Sequence, residues 1–349
     1  MTAARRSTGR ALMARSLWYA GPGKVELRAA PLKPMAPGEA RVRTLWTGIS
    51  RGTERLVLSG AVSPGERQRM RAPLQEGEFP FPVKYGYCAT GVVEDGPAGL
   101  LGKTVFCLHP HQDHFIAPVA MLAVVPDGVP ARRATLAANM ETALNAHWDA
   151  GTGPGDRVAV VGAGVVGLMV AHLASRIPGT EVTVYDVDES RRELVEALGA
   201  RFSPSTPTPG PSPQGGGEQE GGTADIVFHA SVSAAGLNAA IGLAGMEGTV
   251  VELSWYGDKA VTVGLGDAFH SRRLKLVSSQ VGQVSPGRRP RWSYGRRLAS
   301  ALTMLTDPAL DALVAEEMAF EDGPRRLPEI LSPGATGLAP VIRYPGSEN

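Results

Sequence analysis

The chain has 349 residues, of which 43% are hydrophobic and 20% charged, and its formal net charge is +1. This length exceeds what one hydrophobic core usually holds and favours two domains. The balanced charge gives no indication of a nucleic-acid partner, and no apolar run is long enough to span a membrane. The two cysteines, Cys88 and Cys107, are too few for a secreted disulfide framework, so we expect a cytoplasmic protein.

The N-terminal part of the chain predicts an extension followed by a β-rich domain. Residues 1–16 are basic and lack the apolar run of a signal peptide, so we expect a flexible extension there. Beyond it, short runs of Val, Leu and aromatic residues are broken by Gly and Pro, as in 40–48 and 85–93. This pattern is typical of a small antiparallel β-domain, which we assign to residues 17–140.

The middle of the chain changes to an alternation of strands and helices, which we assign to residues 141–284. An apolar helix over 168–175 follows a glycine turn and leads to a second strand, which makes a βαβ unit. The alternation predicts an α/β fold, a doubly wound parallel sheet of the Rossmann type. Its predicted strands are residues 158–161, 181–185, 224–229 and 249–253.

Two further segments complete the predicted organisation. Residues 203–222 consist almost wholly of Pro, Gly, Ser, Thr, Gln and Glu, which predicts a disordered surface insertion, with a docking segment as the alternative. Residues 285–349 contain two helical segments and a strand-like run at 339–344, so we expect them to return to the first domain. This part is rich in arginine, for which we expect solvated helix faces or a patch that binds anionic groups of a substrate.

The strongest motif is the glycine run Gly162-Ala163-Gly164-Val165-Val166-Gly167, which stands between a predicted strand and a predicted helix. Its first glycine permits a tight turn, its second lets the backbone approach a pyrophosphate, and its third lets the helix pack closely. The two valines begin the helix, whose N-terminal amides bind phosphate groups. The alternative is a glycine turn with a purely structural role.

Asp186 completes this dinucleotide-binding pattern, because it closes the second strand about 20 residues after the glycines. A carboxylate there binds ribose hydroxyls and repels a 2′-phosphate, which predicts NAD as the cofactor. Ser231 and Ser254 follow two later strands at the sheet edge where cofactors bind. We therefore expect both serines to contact the cofactor, with ordinary loops as the alternative.

The order of these elements resembles the medium-chain dehydrogenase/reductase superfamily. The resemblance rests on the glycine motif and on three further runs, Gly48 to Glu54 (GISRGTE), Gly86 to Gly91 (GYCATG) and Glu141 to Leu144 (ETAL). It implies a GroES-like catalytic domain, an oxidoreductase activity, and cofactor contacts from Arg51 and Thr142. It also implies a homodimer that pairs through the last Rossmann strand, expected at 278–282.

The GISRGTE run is especially similar to the branch that contains bacteriochlorophyllide a dehydrogenase, which oxidises a hydroxyethyl side chain on a tetrapyrrole with NAD. Zinc-dependent members of the superfamily bind their catalytic metal with a Cys, a His and a further Cys or Glu. Here those positions are Ser50, Tyr87 and approximately Ala138, and the four-cysteine lobe is absent. Because these side chains are not zinc ligands, we predict no metal, although Glu141 lies three positions beyond the third site.

Without zinc, another group must polarise the carbonyl and exchange a proton. Tyr87 is the first candidate, as a general acid if a neighbouring cation lowers its pKa. Glu141 is the second, as a proton acceptor or an orienting group, and Thr53 and Ser50 could form a hydroxyl relay. The alternative for each of these residues is a structural hydrogen bond.

A histidine-rich run, His109 to His114, presents alternate residues that would face the same way in an extended strand. Such a group could bind a metal, but we favour substrate contact by His111 or a solvated loop.

The sequence therefore predicts a zinc-independent, NAD(H)-dependent oxidoreductase that interconverts a secondary alcohol and a ketone on a bulky or polar substrate. Two alternatives stay open. One is an enoyl or quinone reductase that reduces activated double bonds, and the other is a catalytically silent dinucleotide-binding module.

Overall fold

The computed structural model describes residues 12–204 and 222–347. Its strands are β1 (Met13–Gly21), β2 (Lys24–Pro31), β3 (Glu39–Gly48), β4 (Glu76–Gly77), β5 (Val83–Lys84), β6 (Ala89–Asp95), β7 (Thr104–Cys107), β8 (His114–Pro118), β9 (Ala123–Val124), β10 (Arg157–Val161), β11 (Glu181–Tyr185), β12 (Arg201–Ser203), β13 (Ala224–His229), β14 (Ala244–Glu252), β15 (Lys275–Ser278), β16 (Glu317–Ala319) and β17 (Val341–Arg343).

The helices are α1 (Arg51–Ser59), α2 (Ala131–Ala134), α3 (Ala137–Ala150), α4 (Val165–Ala174), α5 (Arg192–Ala197), α6 (Ala234–Leu243), α7 (Asp267–Ser271), α8 (Tyr294–Met304) and α9 (Gly323–Ile330). Short 3-10 turns occur at Pro64–Glu66, Val119–Met121, Glu189–Arg191, Pro308–Leu313 and Phe320–Asp322. Among the described residues, no helix is long and apolar enough to cross a membrane.

The chain folds into two compact units. The first contains the residues up to Val125, the segment Pro130–Thr135 and the residues from Glu316 onward. The second contains Pro126–Val129 and Leu136–Ala315.

The first unit is rich in strands, as the sequence predicted. One sheet has the order β2-β1-β5-β4, and a larger one has the order β16-β17-β3-β6-β7-β9, with β8 also paired to β3. Strand pairs are antiparallel except β16 with β17. In β3 every second side chain from Ala40 to Trp46 is buried, so the alternation of the sequence positions one face of this strand in the core.

Two details of the first unit differ from the prediction. Strand β1 begins at Met13 and pairs with β2 from that residue, so residues 13–16 belong to a sheet rather than to a flexible extension. The segment predicted as one strand over 85–93 is interrupted, because strand β6 begins only at Ala89. The preceding Gly86 has φ +121°, a conformation that does not continue a strand.

The second unit contains a six-stranded parallel sheet in the order β12-β11-β10-β13-β14-β15. This is the strand order of a Rossmann fold, which confirms the predicted fold class. Strands β11 and β13 have the predicted bounds, because each is an uninterrupted run flanked by polar or glycine residues. Strand β10, the first of the predicted Rossmann strands, lies inside the sheet, and its residues Val158 to Val161 are buried.

The boundaries of the second unit differ from the expected ones. Helix α8 packs against α3 and belongs to this unit, so the return to the first unit begins at Glu316 rather than at residue 285. The last sheet strand, β15, ends at Ser278, where we expected a strand to begin. Ser203, the first residue of the predicted insertion, closes strand β12. Residues 205–221 of that insertion lie outside the described residues.

Candidate functional site

The glycine turn between β10 and α4 has the geometry that a bound dinucleotide requires. Gly162 has φ +109°, and a Cβ atom there would lie 2.9 Å from the backbone of Ala230 and Ser231. A Cβ atom on Gly167 would lie 1.9 Å from the carbonyl oxygen of Gly162. Both positions therefore accept only glycine. A Cβ atom on Gly164 would meet nothing within 4 Å, so the space above this residue is open for a phosphate group to approach.

Helix α4 begins directly after this turn. Gly164 is its N-cap and provides no side chain to bind the first amides of the helix. Val165 and Val166 form the first turn and are half-buried. The N–H groups of a first helical turn lack intrahelical acceptors, and the helix dipole favours negative charge there. The residues present thus fit the pyrophosphate of a dinucleotide.

Asp186 lies beside the same turn, at the end of β11. Its Oδ2 accepts a hydrogen bond of 2.5 Å from the N–H of Ala163, and its Oδ1 accepts one of 2.9 Å from the N–H of Asp188. The carboxylate is half-buried and is thereby fixed against the turn. This is the position from which an acidic side chain binds ribose hydroxyls.

Ser231 and Ser254 lie at the carboxyl ends of β13 and β14, within one cluster of polar side chains. The cluster also contains His229 and Glu252, the last residues of those strands. Nδ1 of His229 lies 2.8 Å from Oε2 of Glu252, and Nε2 lies 2.7 Å from Oγ of Ser231. Oγ of Ser254 accepts a hydrogen bond of 3.1 Å from the N–H of Val232.

Glu252 and Tyr256 extend this cluster toward solvent. Burial opposes the ionisation of Glu252, but the hydrogen bond and electrostatic attraction of His229, together with hydrogen bonds from Ser254, outweigh it and hold the pKa of the carboxyl below its usual range. The hydroxyl of Tyr256 donates a 3.2 Å hydrogen bond to Oε2 of Glu252. Partial burial and this carboxylate raise the pKa of Tyr256 to about 12. The sequence patterns placed Ser231, Ser254 and the backbone of His229 beside the cofactor but gave no role to Glu252 or to the imidazole of His229.

In the first unit, Tyr87 lies with the two hydroxyl residues that we predicted around it. Its phenol donates a 3.3 Å hydrogen bond to Oγ1 of Thr53 and also bonds the side chain of Ser50. Burial is the largest effect on the phenol and raises its pKa above the usual range. The acidic neighbours Cys88 and Glu54 add to this shift. The structure thus contradicts a pKa lowered by a cation, and Tyr87 stays a protonated hydrogen-bond donor.

Glu54, which the sequence analysis did not single out, is fully buried behind this group. Its Oε2 accepts hydrogen bonds from Tyr19 at 2.5 Å and from Nε2 of His111 at 3.0 Å. Its Oε1 accepts a 2.7 Å hydrogen bond from the N–H of Ser50, which is the N-cap of α1. Glu54 therefore fixes the start of the helix that carries Thr53. A glutamate four residues after an N-cap serine, close to the capping-box spacing, was the available signal.

His111 is fully buried, so the predicted contact with substrate is wrong. Its Nδ1 lies 2.7 Å from Oγ1 of Thr47, and its other ring nitrogen binds Glu54. The run around it is irregular rather than extended, so its polar residues diverge. The ring of His109 stacks on Phe115 at 4.0 Å, and Asp113 binds Arg15.

Glu141 is held by an ion pair inside the second unit. Its Oε1 accepts a 3.0 Å hydrogen bond from Nε of Arg297, and both side chains are buried. Burial raises the pKa of Glu141, and the neighbouring guanidinium opposes that shift. Arg297 also donates to Oδ1 of Asn145 and to the carbonyl of Val281. This pair ties α8 to α3, and it buries one of the arginines that we expected on a solvated face.

Arg51 and Thr142, the remaining predicted cofactor contacts, bind within their own units. The guanidinium of Arg51 donates to the carbonyl oxygens of residues 335–337 in the first unit. The hydroxyl of Thr142 donates a 3.0 Å hydrogen bond to the carbonyl of Ala138 in its own helix. In residues 12–204 and 222–347, no three of His, Cys, Asp and Glu are grouped so that they could hold one metal ion.

Comparison with known proteins is consistent with this geometry. A family model described as "Alanine dehydrogenase/PNT, C-terminal domain" matches residues 139–253, which is less than half of the chain. The D-xylulose reductase of Scheffersomyces stipitis is 26% identical over 173 residues, which are 48% of this chain and 45% of that protein. Sorbitol dehydrogenase 1 of Saccharomyces cerevisiae is 25% identical over 292 residues, or 82% of this chain and 74% of that protein.

Solved structures share the fold over nearly the whole chain. The acetophenone reductase of Geotrichum candidum, solved in complex with NAD, has a TM-score of 0.72 and 18% identity, with coverage of 96% of this chain and 98% of that one. The shared fold is one that dehydrogenases and reductases adopt, and at this identity the likeness shows the fold alone. These comparisons support the predicted oxidoreductase class and the predicted NAD cofactor.

Proposed function

We propose that the chain is an NAD(H)-dependent oxidoreductase that interconverts a secondary alcohol and a ketone without zinc. The observation that carries this proposal is the glycine turn of the second unit, with Asp186 bonded to the N–H of Ala163 at its edge. Gly162, Gly164 and Gly167 would hold the dinucleotide against the first turn of α4. When bound, the nicotinamide supplies or accepts the hydride.

Asp186 supports NAD over NADP. Its carboxylate is fixed by two backbone N–H groups, so it cannot swing away from an incoming ribose without losing both hydrogen bonds. Ribose hydroxyls can donate to its remaining lone pairs, whereas a 2′-phosphate would bring like charge against it.

Zinc independence is supported by the chemistry of the side chains present. Ser50 and Tyr87 occupy the positions where zinc-dependent relatives have a thiolate and an imidazole, and neither residue is a usual zinc ligand. The raised pKa of Tyr87 keeps a proton on its oxygen, so the phenol can exchange its hydrogen bond to Thr53 for one that it donates to a substrate carbonyl. Thr53, its hydrogen-bond partner, would orient that phenol.

For the substrate we propose a bulky or polar secondary alcohol or its ketone. The relatives named for sorbitol and D-xylulose act on polyhydroxylated substrates, and the acetophenone reductase is named for an aromatic ketone. The resemblance of the GISRGTE run to the bacteriochlorophyllide branch makes a hydroxyethyl-bearing ring system the narrower proposal.

The compartment and the assembly are also proposals. Cys88 and Cys107, the two cysteines of the chain, are both buried and are too few for a secreted disulfide framework, which fits a reducing cytoplasm. Strand β15 lies at the edge of the parallel sheet, where it could pair with a second copy to form a homodimer.

The test is a hydride-transfer assay with NAD and a panel of polyols and aryl-substituted secondary alcohols, after metal removal and elemental analysis. We expect activity without zinc and a loss on the order of 100-fold in kcat/KM for Tyr87→Phe. Tyr294→Phe is the matched control, because that phenol is exposed and bonds only the carbonyl of Gly282 among the contacts described. Stoichiometric zinc with chelator-sensitive activity, or full activity in Tyr87→Phe, would contradict the proposed mechanism.

A further inference from the structure

The cluster at the carboxyl ends of β13 and β14 contains a carboxylate, an imidazole and a hydroxyl in a line. Oε2 of Glu252 lies 2.8 Å from Nδ1 of His229, and Nε2 of the same ring lies 2.7 Å from Oγ of Ser231. The ring of His229 is fully buried, whereas Ser231 is half-buried and reachable from solvent. This is the order of groups found in activated serine nucleophiles.

The hydrogen-bond partners determine which atoms of Glu252, His229 and Ser231 carry protons. An ionised carboxylate only accepts hydrogen bonds, so Nδ1 of His229 must donate to Glu252. In the neutral ring Nε2 is then an acceptor, and the hydroxyl of Ser231 must donate to it. Against the effect of burial, His229 and the hydrogen bonds from Ser254 together hold the pKa of Glu252 below its usual range, which keeps the carboxylate ionised. The imidazole is thereby oriented as a base toward the Ser231 hydroxyl.

The backbone around Ser231 is strained in a way that packing does not explain. Val232 has φ +54°, a left-handed conformation that a β-branched residue rarely adopts, and its side chain is 55% exposed. The strained turn is held by the hydrogen bond from the N–H of Val232 to Ser254. Such sparsely populated conformations cluster at active sites and ligand clamps, and this one directly follows Ser231 in the chain.

The surroundings of Ser231 also favour an attacking oxygen. A Cβ atom on Gly236 would lie 2.1 Å from Oγ of Ser231, so the glycine keeps space for the hydroxyl. Oγ of Ser233 lies 3.0 Å away and itself accepts from the N–H of Gly236, so its proton is available to the Ser231 oxygen. Helix α6 begins at Ala234, and the positive end of its dipole favours negative charge that develops nearby.

We propose that Ser231 is a nucleophile, activated by His229 and Glu252, that accepts the acyl group of small carboxylic esters. Oγ of Ser231 forms a bond to the carbonyl carbon while its proton passes to Nε2 of His229. The ester bond then breaks, the leaving alkoxide takes that proton as an alcohol, and the serine is acylated. Water attacks the acyl group, gives one proton to His229 and releases the carboxylic acid, after which the proton returns to Ser231.

This activity needs no nicotinamide cofactor, so its test is independent of hydride transfer. The purified full chain is incubated with a fluorophosphonate probe, and the labelled peptide is identified by mass spectrometry, with p-nitrophenyl acetate hydrolysis measured in parallel. We expect the label on Ser231 and no label in Ser231→Ala. His229→Gln and Glu252→Gln should each slow labelling on the order of 100-fold or more.

Ser271→Ala is the matched control, because this exposed serine of the same unit donates only to the carbonyl of Asp267 among its described contacts. It should label at the wild-type rate. Circular dichroism of each variant verifies folding, and Glu252→Gln keeps an acceptor for the ring and provides a second probe if His229→Gln unfolds. A folded wild-type protein that takes no label, a label on another residue, or equal labelling of wild type and Ser231→Ala would overturn the proposal.

Discussion

Each unit of the protein contains a histidine bonded to a glutamate, and the two pairs differ in access to solvent. In the first unit, His111 and Glu54 are both fully buried and lie 3.0 Å apart. In the second unit, His229 is buried, but Glu252 lies at the edge of the cluster with 16% of its side chain exposed. Ser231 and Tyr256 continue that cluster to the surface.

The difference shows that residue type alone does not determine what a polar pair can do. Glu54 accepts hydrogen bonds from Tyr19, from His111 and from the N–H of Ser50, all inside the unit, so this pair stabilises the start of α1. The pair of His229 and Glu252 ends on a serine that a small molecule can reach. The degree of burial thus distinguishes a pair that only stabilises the fold from a pair that can react with a bound molecule.

The largest expected effect is the loss of stability in Glu54→Gln. An amide has one acceptor oxygen where the carboxylate has two, so its NH2 group must replace an acceptor either beside the N–H of Ser50 or beside Tyr19 and His111. We expect the free energy of unfolding to fall by about 3 kcal/mol, measured by urea denaturation. A loss of less than about 1 kcal/mol would show that water or a rearranged side chain reaches this pair and would remove the contrast between the units.

A second expected effect is acid destabilisation through buried histidines. Burial lowers the pKa of His109 to about 3 and that of His147 to about 4, from a usual value of 6.5. As the pH falls through 6.5, both histidines become protonated in the unfolded chain but stay neutral in the folded one. The free energy of unfolding is therefore highest above pH 6.5 and decreases below it.

Each such histidine contributes a slope of about 1.4 kcal/mol per pH unit in this range. Urea denaturation at pH values between about 7 and 5 should show the slope, and His109→Gln should reduce it, because the amide keeps a donor for the carbonyl of Pro110 but takes up no proton. If the free energy of unfolding of this variant changed with pH as steeply as that of the wild type, the buried, neutral state of His109 would be contradicted.

The smallest expected effect on stability is that of Glu252→Gln. Glu252 also accepts from the N–H of Ser254 at 2.7 Å and from Tyr256 at 3.2 Å. The amide oxygen can keep the bond from Nδ1 of His229, and the side chain is 16% exposed, so water can replace a lost partner and we expect a change below about 1 kcal/mol. The same urea titration that tests Glu54→Gln measures it. A loss as large as that of Glu54→Gln would mean that both pairs are primarily structural.

Local patterns explain which parts of the protein the sequence predicted. The glycine turn, Asp186 and the strands Glu181–Tyr185 and Ala224–His229 follow from residue spacing within one βαβ unit, and the structure has them as predicted. The sequence placed Ser203 and Met13 in flexible segments, because composition describes a whole stretch of residues. The structure shows that each of these residues belongs to a paired strand at the border of such a stretch.

The side-chain partners were not predictable in the same way. His111 meets Glu54 across 57 positions of the sequence, and Arg297 meets Glu141 across 156. No periodicity connects residues so far apart, so the sequence predicted catalytic roles for Glu141 and His111, whereas both residues have buried partners in the structure. The raised pKa of Tyr87 likewise depends on burial by residues from several elements, which spacing does not encode.

The central claim is that the second unit binds NAD(H), and titration with NADH and NADPH by nicotinamide fluorescence tests it most directly. We predict that NADH binds at least about 10-fold more tightly than NADPH. Asp186→Ala should weaken NADH binding by roughly 10-fold to 100-fold and reduce the ratio of the NADPH and NADH dissociation constants. Asp267→Ala, at the start of α7, is the matched control and should bind as the wild type does. Binding of neither nucleotide, or a preference for NADPH that Asp186→Ala leaves unchanged, would contradict the account.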